Sequence, residues 1–184
     1  MKYENLVLLE TLRRETISTQ AERMFIVDEV FELLQNAYAN VKGGLHFSSA
    51  DKLLLSTNMW ELIYFENTIV AVVVYKAKKG LKMVALGVAE NLDFALKEHT
   101  KRMLAYLFRM TFKNTWMEVS EAAEKFIMRH GGEQYFVSNT MAKSLTGKND
   151  IALCDDGFHY TRSINGIVKR KIIVGKPKYT KDHT

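Results

Sequence analysis

WELIYFENTIVAVVVYKAKKGLKMVALGV, residues 60–88, is the stretch that decides the fold. Its middle, residues 69–75, is a continuous run of apolar and mostly β-branched residues. Such a run is typical of a central strand that is buried on both faces. Glu66-Asn67 before the run and Lys78-Lys79-Gly80 after it predict turns. The stretch therefore predicts three consecutive antiparallel strands, a β-meander.

Two longer helices are predicted before the meander. Residues 2–14 carry leucines three positions apart, which predicts an extra N-terminal helix. Residues 22–41 form an amphipathic pattern that ends at Gly43-Gly44. The apolar stripe predicted for this second helix is Phe25, Val27, Val30, Phe31, Leu34 and Tyr38.

A short third helix is predicted just before the meander. Ser48 or Ser49 can cap its first turn, and Asp51 is placed favourably for the helix dipole. Its predicted core face is Leu53, Leu54 and Leu55.

Helix and strand signals alternate after the meander. The pattern predicts a helix over residues 93–112, a strand over 116–120 and a helix over 121–130. Residues 158–175 predict a closing hairpin, because Asn165-Gly166 is typical of its two-residue turn. The predicted fold class is α+β, a mixed sheet of meander plus closing hairpin that is flanked by helices.

A chain of 184 residues suits one domain with a substantial core. The predicted organisation is a helical extension over residues 1–20, a single domain over 21–175 and a basic tail over 176–184. Cys154 is the only cysteine, which excludes an internal disulfide and fits a reducing compartment. The longest apolar run is too short to span a bilayer, so the expectation is a cytoplasmic protein without a membrane partner.

The positive charge is concentrated at the C-terminal end. Residues 168–184 carry six lysines and arginines against Asp182, which equals the whole formal charge of +5. A basic end on a neutral body is typical of a solvated terminus, and also of a segment that binds nucleic acid or another polyanion. Both interpretations stay open.

One further patch resembles a known superfamily. The segment VSEAAEKFIMRHGG, residues 119–132, is similar to the strand-to-helix segment of the GNAT N-acyltransferases, with Ser120 at their Asn position and Ile127 at their Tyr position. DDGFHYTR, residues 155–162, looks like their closing strands. Together with the element order, this resemblance covers about residues 25–174. It points towards small GNAT-like proteins of tailed bacteriophages.

The resemblance implies transfer of an acyl group from acetyl-CoA, the expected cofactor, to an amine. It also implies a backbone carbonyl donor on the third strand of the meander, near Leu86, Gly87 and Val88, with Ser120 as a further cofactor contact. The segment GVAENLDFALK, residues 87–97, lacks the family's glycine-rich phosphate loop. It carries Glu90 and Asp93 instead, and their negative charges are expected to oppose a bound phosphate. Ile127 replaces the tyrosine that protonates the departing thiolate.

Three catalytic candidates follow from the strand patterns. Glu118 and Ser120 alternate on one strand face with Trp116, and a carboxylate in a central strand is costly unless it is paired or functional. Tyr160 and Arg162 share a face of the closing hairpin. Glu118 is the candidate base and Tyr160 the candidate acid, while Trp116 and Arg162 are candidates for substrate binding. A salt bridge of Glu118 and ordinary strand positions for the others are the structural alternatives.

Three functions remain as hypotheses. The first is an acyl-CoA-dependent N-acyltransferase, and the second is a catalytically inactive GNAT-like binding or structural protein. The third is a polyanion-binding protein that uses the basic tail. The sequence contains no cluster of His, Cys or carboxylates at metal-ligand spacing, so no metal site is predicted. The acceptor amine and any protein partner are not specified by the sequence.

Overall fold

The computed structural model describes residues 7–18, 23–41, 44–78, 81–110, 114–119, 152–153, 160–164 and 167–175. The elements in chain order are β1 (Val7–Arg13), α1 (Arg14–Ser18), α2 (Met24–Tyr38), α3 (Ala50–Ser56), β2 (Met59–Phe65), β3 (Thr68–Ala77), β4 (Leu81–Val88), α4 (Phe94–Met110), β5 (Asn114–Val119), β6 (Ala152–Leu153), β7 (Tyr160–Ile164) and β8 (Ile167–Gly175).

The chain divides into two units. The first consists of residues 1–77 and 83–103, and the second of residues 78–82 and 104–184. The first unit contains strands in the spatial order β1-β2-β3-β4, and the second contains them in the order β5-β8-β7-β6. The predicted boundaries at residues 20 and 175 remain a prediction.

The predicted meander is confirmed. β2 pairs antiparallel with β3, and β4 lies on the other side of β3. Glu66 and Asn67 form the turn between β2 and β3 with φ of 47° and 67°. Two residues with positive φ suit the right-handed twist of a tight hairpin. β3 is buried on both faces from Ile69 to Tyr75, as its unbroken apolar run predicts.

Helices α1 to α3 cover one face of the first unit's strands. Alternate residues of β1, β2 and β3 pack there against α2 and α3, and Leu12, Trp60 and Val74 lie opposite one another in this row. Trp60 also donates from its Nε1–H to Thr57 Oγ1 at 2.8 Å, and Thr57 donates to Leu53 O at 2.6 Å. The polar atoms at this edge of the core are therefore satisfied.

The prediction of a helix over residues 2–14 is wrong for residues 7–13, which form β1. This strand pairs antiparallel with β2 from Val7 opposite Phe65 to Arg13 opposite Met59. Leu12 is buried while Thr11 and Arg13 are exposed, which is the two-residue period of a strand. Leucines three apart are compatible with a helix, but pairing with β2 decides the conformation because β-structure depends on tertiary contacts. Residues 2–6 lie outside the described residues.

The helices α2 and α3 confirm their predictions with local corrections. Val27, Val30 and Leu34 of the predicted stripe are buried, whereas Phe25 is 79% exposed. Ser49 caps α3, because its side chain accepts the Lys52 N–H at 3.2 Å. The predicted core residue Leu55 points outward.

The later elements confirm the predicted order where the structure describes them. α4 and β5 fall on the predicted helix and strand, and β7 and β8 pair antiparallel from Ile164 opposite Ile167, as the predicted hairpin requires. Phe94, the first residue of α4, is 81% exposed, while Leu104 and Leu107 are buried. The predicted helix over 121–130, Cys154 and the tail over 176–184 lie outside the described residues. Within the described part of the chain, no helix has both the length and the apolar character needed to cross a membrane.

Candidate functional site

The predicted carbonyl-donor segment, Leu86 to Val88, forms the end of β4. Gly87 faces helix α2, and a Cβ on Gly87 would lie 2.7 Å from Leu33 Cδ2 and 3.0 Å from Leu34 Cδ2. The helix and the strand therefore approach closely at Gly87, and this gives the glycine a packing role. Its predicted contact with a cofactor remains a prediction.

The backbone N–H of Leu86 points away from β3. Ala89, three residues on, donates its N–H to Val70 O of β3 at 2.9 Å. Successive residues of a strand direct their N–H groups to opposite sides, so the N–H of Leu86 lies on the side of β4 opposite β3. There it donates to the hydroxyl oxygen of Tyr38 at 3.4 Å. In a regular β-ladder the Leu86 N–H would donate to a backbone carbonyl of the next strand. Here it donates to a side-chain oxygen.

Tyr38 is the last residue of α2 and lies one helical turn after Leu34. The close approach at Gly87 allows its ring to reach the strand backbone. Burial raises the pKa of the Tyr38 phenol, and the hydrogen bond from Leu86 lowers it to a smaller extent. The hydroxyl is therefore protonated at neutral pH.

Sequence reasoning placed Tyr38 only on an apolar stripe and missed this contact. The available signal was weak: a tyrosine at the end of an amphipathic helix carries a polar tip that needs a partner once it is buried. The identity of that partner on β4 follows only from the packing of the helix on the strand.

The N-terminus of α4 is occupied by its own carboxylate cap. Asp93 Oδ1 accepts the N–H of Leu96 at 2.9 Å, and the Asp93 carbonyl accepts the N–H of Lys97 at 2.9 Å. An aspartate at this position satisfies one of the first N–H groups and puts a negative charge at the positive end of the helix dipole. A phosphate bound at this position would have to accept the first N–H groups of α4, and it would be repelled by the Asp93 charge. The sequence-based objection to phosphate binding at this helix is thus supported.

The backbone register of the second unit places two candidate residues in one row. Glu118 of β5 lies opposite Lys171 of β8, and Lys171 lies opposite Tyr160 of β7. Residues directly opposite in antiparallel strands share a face, so Glu118 and Tyr160 are on the same face with one strand between them. Two strand spacings separate their backbones by about 10 Å.

The same register places the two predicted substrate-binding residues. Trp116 lies opposite Ile173, and Arg162 lies opposite Lys169, on the face that Glu118 and Tyr160 occupy. The register thus supports the predicted sharing of a face within each pair. Lys171, rather than Arg162, is the cationic residue opposite Glu118. Ser120 and Ile127 lie outside the described residues.

A second polar cluster, which the sequence did not predict as a site, lies on the sheet face opposite α2 and α3. Glu61 of β2 is only 3% exposed, and its Oε2 accepts the Thr11 hydroxyl at 2.7 Å. Burial raises the pKa of the Glu61 carboxyl, while the Thr11 hydrogen bond and the charge of Arg13 oppose the shift. Burial, and to a smaller extent the Glu61 charge, raise the pKa of Tyr75. Among the described residues, no three His, Cys, Asp or Glu side chains gather as metal ligands.

Comparison with known proteins rests on structure. No protein-family model matches the chain, and no curated protein matches its sequence. The AHL synthase LasI is similar in structure, with a TM-score of 0.55, 11% identity and coverage of 90% of this chain and 89% of that chain.

Two further solved structures overlap over similar lengths. An acyl-CoA N-acyltransferase from Pseudomonas aeruginosa has a TM-score of 0.49 and 8% identity, with coverage of 90% of this chain and 99% of that chain. A GNAT family acetyltransferase from Elizabethkingia anophelis, solved with acetyl-CoA bound, has a TM-score of 0.45 and 13% identity, with coverage of 94% and 99%. The chain has a divergent GNAT-like α+β fold. At such identities the likeness extends to the fold alone.

Proposed function

We propose that the protein is an acyltransferase that moves an acyl group from a thioester donor to an amine. The observation that carries the proposal is the N–H of Leu86, which points to the side of β4 away from β3 and is accepted by a side-chain hydroxyl. The GNAT resemblance implies a carbonyl donor on this segment. Because this N–H lies outside the ladder with β3, it can act on a ligand's carbonyl through the hydroxyl that accepts it.

The reaction needs three groups. The amine nitrogen attacks the thioester carbon, the C–N bond forms and the C–S bond breaks, so the amine loses one proton and the thiolate gains one. A base accepts the first proton, an acid supplies the second, and a hydrogen-bond donor stabilises the negative charge that develops on the carbonyl oxygen.

Glu118 is proposed as the base and Tyr160 as the acid, with Ser120 next to Glu118 in the chain. Trp116 and Arg162 are proposed to bind the amine substrate. The shared face of Glu118 and Tyr160 is compatible with paired roles. In the backbone register, Lys171 lies opposite both Glu118 and Tyr160.

Acetyl-CoA is the proposed acyl donor. The chain is better suited to bind its acetyl end than its pyrophosphate end. The acetyl end would lie at the end of β4, beside Leu86 and Val88, and the thioester supplies the activated carbonyl when it is bound. The pyrophosphate end would meet the Asp93 cap of α4, which opposes it. No step of the proposed reaction depends on the pyrophosphate.

Calorimetric titration with acetyl-CoA, followed by turnover measurements with a panel of primary amines, tests the proposal. Saturable binding together with release of free thiol is the expected result. Glu118→Gln should retain binding and lose most turnover, since it keeps the shape and removes the base. Absence of binding at millimolar acetyl-CoA, together with absence of turnover for every amine, would contradict the proposal.

A second candidate is an inactive GNAT-like binding protein of the bacteriophage type. The Asp93 cap favours it, because its carboxylate accepts one of the first N–H groups of α4 and brings a negative charge to this helix end. Ile127 in place of the usual acid favours it as well. A measured turnover with any acyl thioester would exclude this candidate.

A further inference from the structure

The Tyr38 hydroxyl has a proton that it donates to no described residue. Its oxygen accepts the N–H of Leu86, and a tyrosine hydroxyl also carries one proton to donate. Among the described residues, no acceptor for that proton is found. A largely buried hydroxyl that accepts from the protein and has no protein acceptor of its own is suited to a ligand that carries an acceptor.

The N–H of Leu86 strengthens this donor. When a hydroxyl accepts a hydrogen bond, its own O–H becomes more polarised, and in a low-dielectric environment such a chain gains cooperatively. A carbonyl oxygen that accepts the Tyr38 O–H would therefore be stabilised by the strand N–H as well, because that N–H polarises the tyrosine hydroxyl. The phenol stays protonated because its burial disfavours the phenolate, so it acts as a donor rather than as a base.

The position of Tyr38 is fixed by packing, which a donor for a developing charge requires. It follows the buried residues Leu33 and Leu34 on the same helix, and these two side chains surround the bare Cα of Gly87. Helix α2 cannot move closer to β4 without atomic overlap. Gly87 has no side chain that would hold the helix further away. The hydroxyl is thereby held at the height of the Leu86 N–H.

We propose that Tyr38 is a catalytic residue of this site, which donates its O–H to the carbonyl oxygen of the acyl thioester while its oxygen is held by the Leu86 N–H. The inference rests on the proposed acyl transfer and adds the side chain that contacts the acyl group. Tyr38 forms and breaks no covalent bond. Its O–H stabilises the carbonyl oxygen as the amine attacks.

The test compares Tyr38→Phe with Tyr64→Phe. Tyr64 is a half-buried tyrosine of β2 that has Glu10 as its side-chain hydrogen-bond partner, so its variant removes the same atom elsewhere in the first unit. The probes are acetyl-CoA and the small thioester S-acetyl-N-acetylcysteamine, which carries no phosphate. The readouts are the dissociation constant, the amide NMR shift of Leu86 during titration, and the turnover number with an amine.

In the wild-type protein, the small thioester should shift the Leu86 amide resonance. Tyr38→Phe should weaken thioester binding about tenfold, the loss of one hydrogen bond of about 1.4 kcal/mol. It should lower the turnover number by about a hundredfold, as the removal of one oxyanion donor does. Tyr64→Phe should change neither quantity. Thermal unfolding shows whether both variants are folded. If Tyr38→Phe is not folded, the shift of the Leu86 amide resonance in the wild-type protein decides the case.

The outcomes separate the two proposals. Turnover that is equal in wild type and Tyr38→Phe overturns the role of Tyr38 and leaves acyl transfer standing. Thioester binding that depends on Tyr38, without turnover for any amine, supports Tyr38 as the carbonyl donor and contradicts the acyltransferase. A wild-type protein that binds neither thioester overturns both.

Discussion

Among single residues, Glu61 is a carboxyl buried within a strand. Its carboxyl lies in the middle of β2, is 3% exposed, and has the Thr11 hydroxyl as its hydrogen-bond partner. Loss of solvation disfavours the charged form of Glu61. The Thr11 hydrogen bond and the charge of Arg13 offset this effect only in part. The folded protein therefore holds a proton on Glu61 at a pH where the unfolded chain has lost it.

We expect the Glu61 contribution to make the protein less stable as the pH rises. The pKa of Glu61 is raised above its ordinary value of 4.5, so the folded state binds more protons than the unfolded state in the window above that value. The free energy of unfolding then falls with increasing pH, and the contribution is complete only below the unfolded pKa.

Glu61→Gln, which imitates the protonated carboxyl, should flatten this part of the profile and stabilise the protein at neutral pH. Urea unfolding at a series of pH values from about 4 to 8 measures the difference. Glu66→Gln, an exposed carboxyl in the turn that follows the same strand, is the control and should leave the slope unchanged. A steeper fall in Glu61→Gln than in wild type would contradict the expectation.

Asp93 gives a prediction that separates charge from capping. Asparagine caps a helix about as well as aspartate, so Asp93→Asn should change the free energy of unfolding little, while Asp93→Ala should cost about 1 kcal/mol. Only the charge opposes an anion at the start of α4. Both variants should therefore bind acetyl-CoA more tightly than wild type, with Asp93→Asn the better folded of the two. Equal affinity of wild type and Asp93→Asn in a calorimetric titration would show that the pyrophosphate does not approach this helix.

At the level of elements, the contact between α2 and β4 depends on one absent side chain. Gly87→Ala would place a Cβ 2.7 Å from Leu33 Cδ2, so the helix or the leucine must shift. Overpacking of a tight core contact costs about 1–3 kcal/mol, and the shift should lengthen the hydrogen bond between Leu86 and Tyr38.

A double-mutant cycle with Leu33→Ala tests whether this overlap is the cause. Each single variant should be destabilised in urea unfolding, and the double variant should lose less than the two losses added together, because Leu33→Ala removes the overlapping atom. Strict additivity would place the cause elsewhere.

The strand character of β1 predicts a different pattern of stability from the one that a helical extension would give. Leu12 is 2% exposed and lies in the row with Trp60 and Val74. Leu12→Ala should cost about 2–5 kcal/mol, as for other leucines removed from a core. Leu55→Ala, at a leucine of α3 that is 68% exposed, is the matched control and should stay within about 0.5 kcal/mol of wild type. Equal small losses in chemical unfolding would contradict the placement of β1 in the core.

At the level of the whole molecule, the structure places the first part of the basic C-terminal end, residues 168–184, in a strand. Lys169, Arg170 and Lys171 belong to β8, which pairs with β5 and β7. A truncation after Val168 would remove most of that strand, so it is not a clean test of polyanion binding. The suitable truncation ends at Gly175, the last residue of β8.

Truncation after Gly175 removes three lysines and one aspartate, a net of +2, so the formal charge falls from +5 to +3. If the tail binds nucleic acid, the affinity for duplex DNA should fall, and the slope of log K against log salt should decrease by at most about 3, one unit for each lysine that contacts a phosphate. Full-length protein at matched salt is the control. Unchanged DNA affinity in the truncated protein would rule out a role for the tail.

Local patterns were sufficient for most of the fold. The buried run of β3, the turn at Glu66-Asn67, the Ser49 cap and the hairpin pairing of β7 with β8 each follow from residues close together in the chain. Such features depend on periodicity, capping and turn chemistry, which a sequence displays directly.

The candidate site was only partly predictable. The segment of Leu86 to Val88 was placed correctly on a strand. Asp93 caps α4, which is a local feature, and its expected opposition to an anion stays a prediction. Tyr38 was assigned only to an apolar stripe, because its partner is 48 residues away in the chain. The roles of Glu118, Ser120 and Tyr160 stay predictions.

The sequence by itself determined the meander, the amphipathic helices and the order of elements from α2 to β5, because hydrophobic period and turn residues act over a few neighbouring positions. The tertiary structure alone decided that residues 7–13 pair as a strand, that Glu61 is buried beside Thr11, and that Tyr38 reaches the N–H of Leu86. Each of these depends on two segments that are far apart in the chain and are brought together by packing of the core.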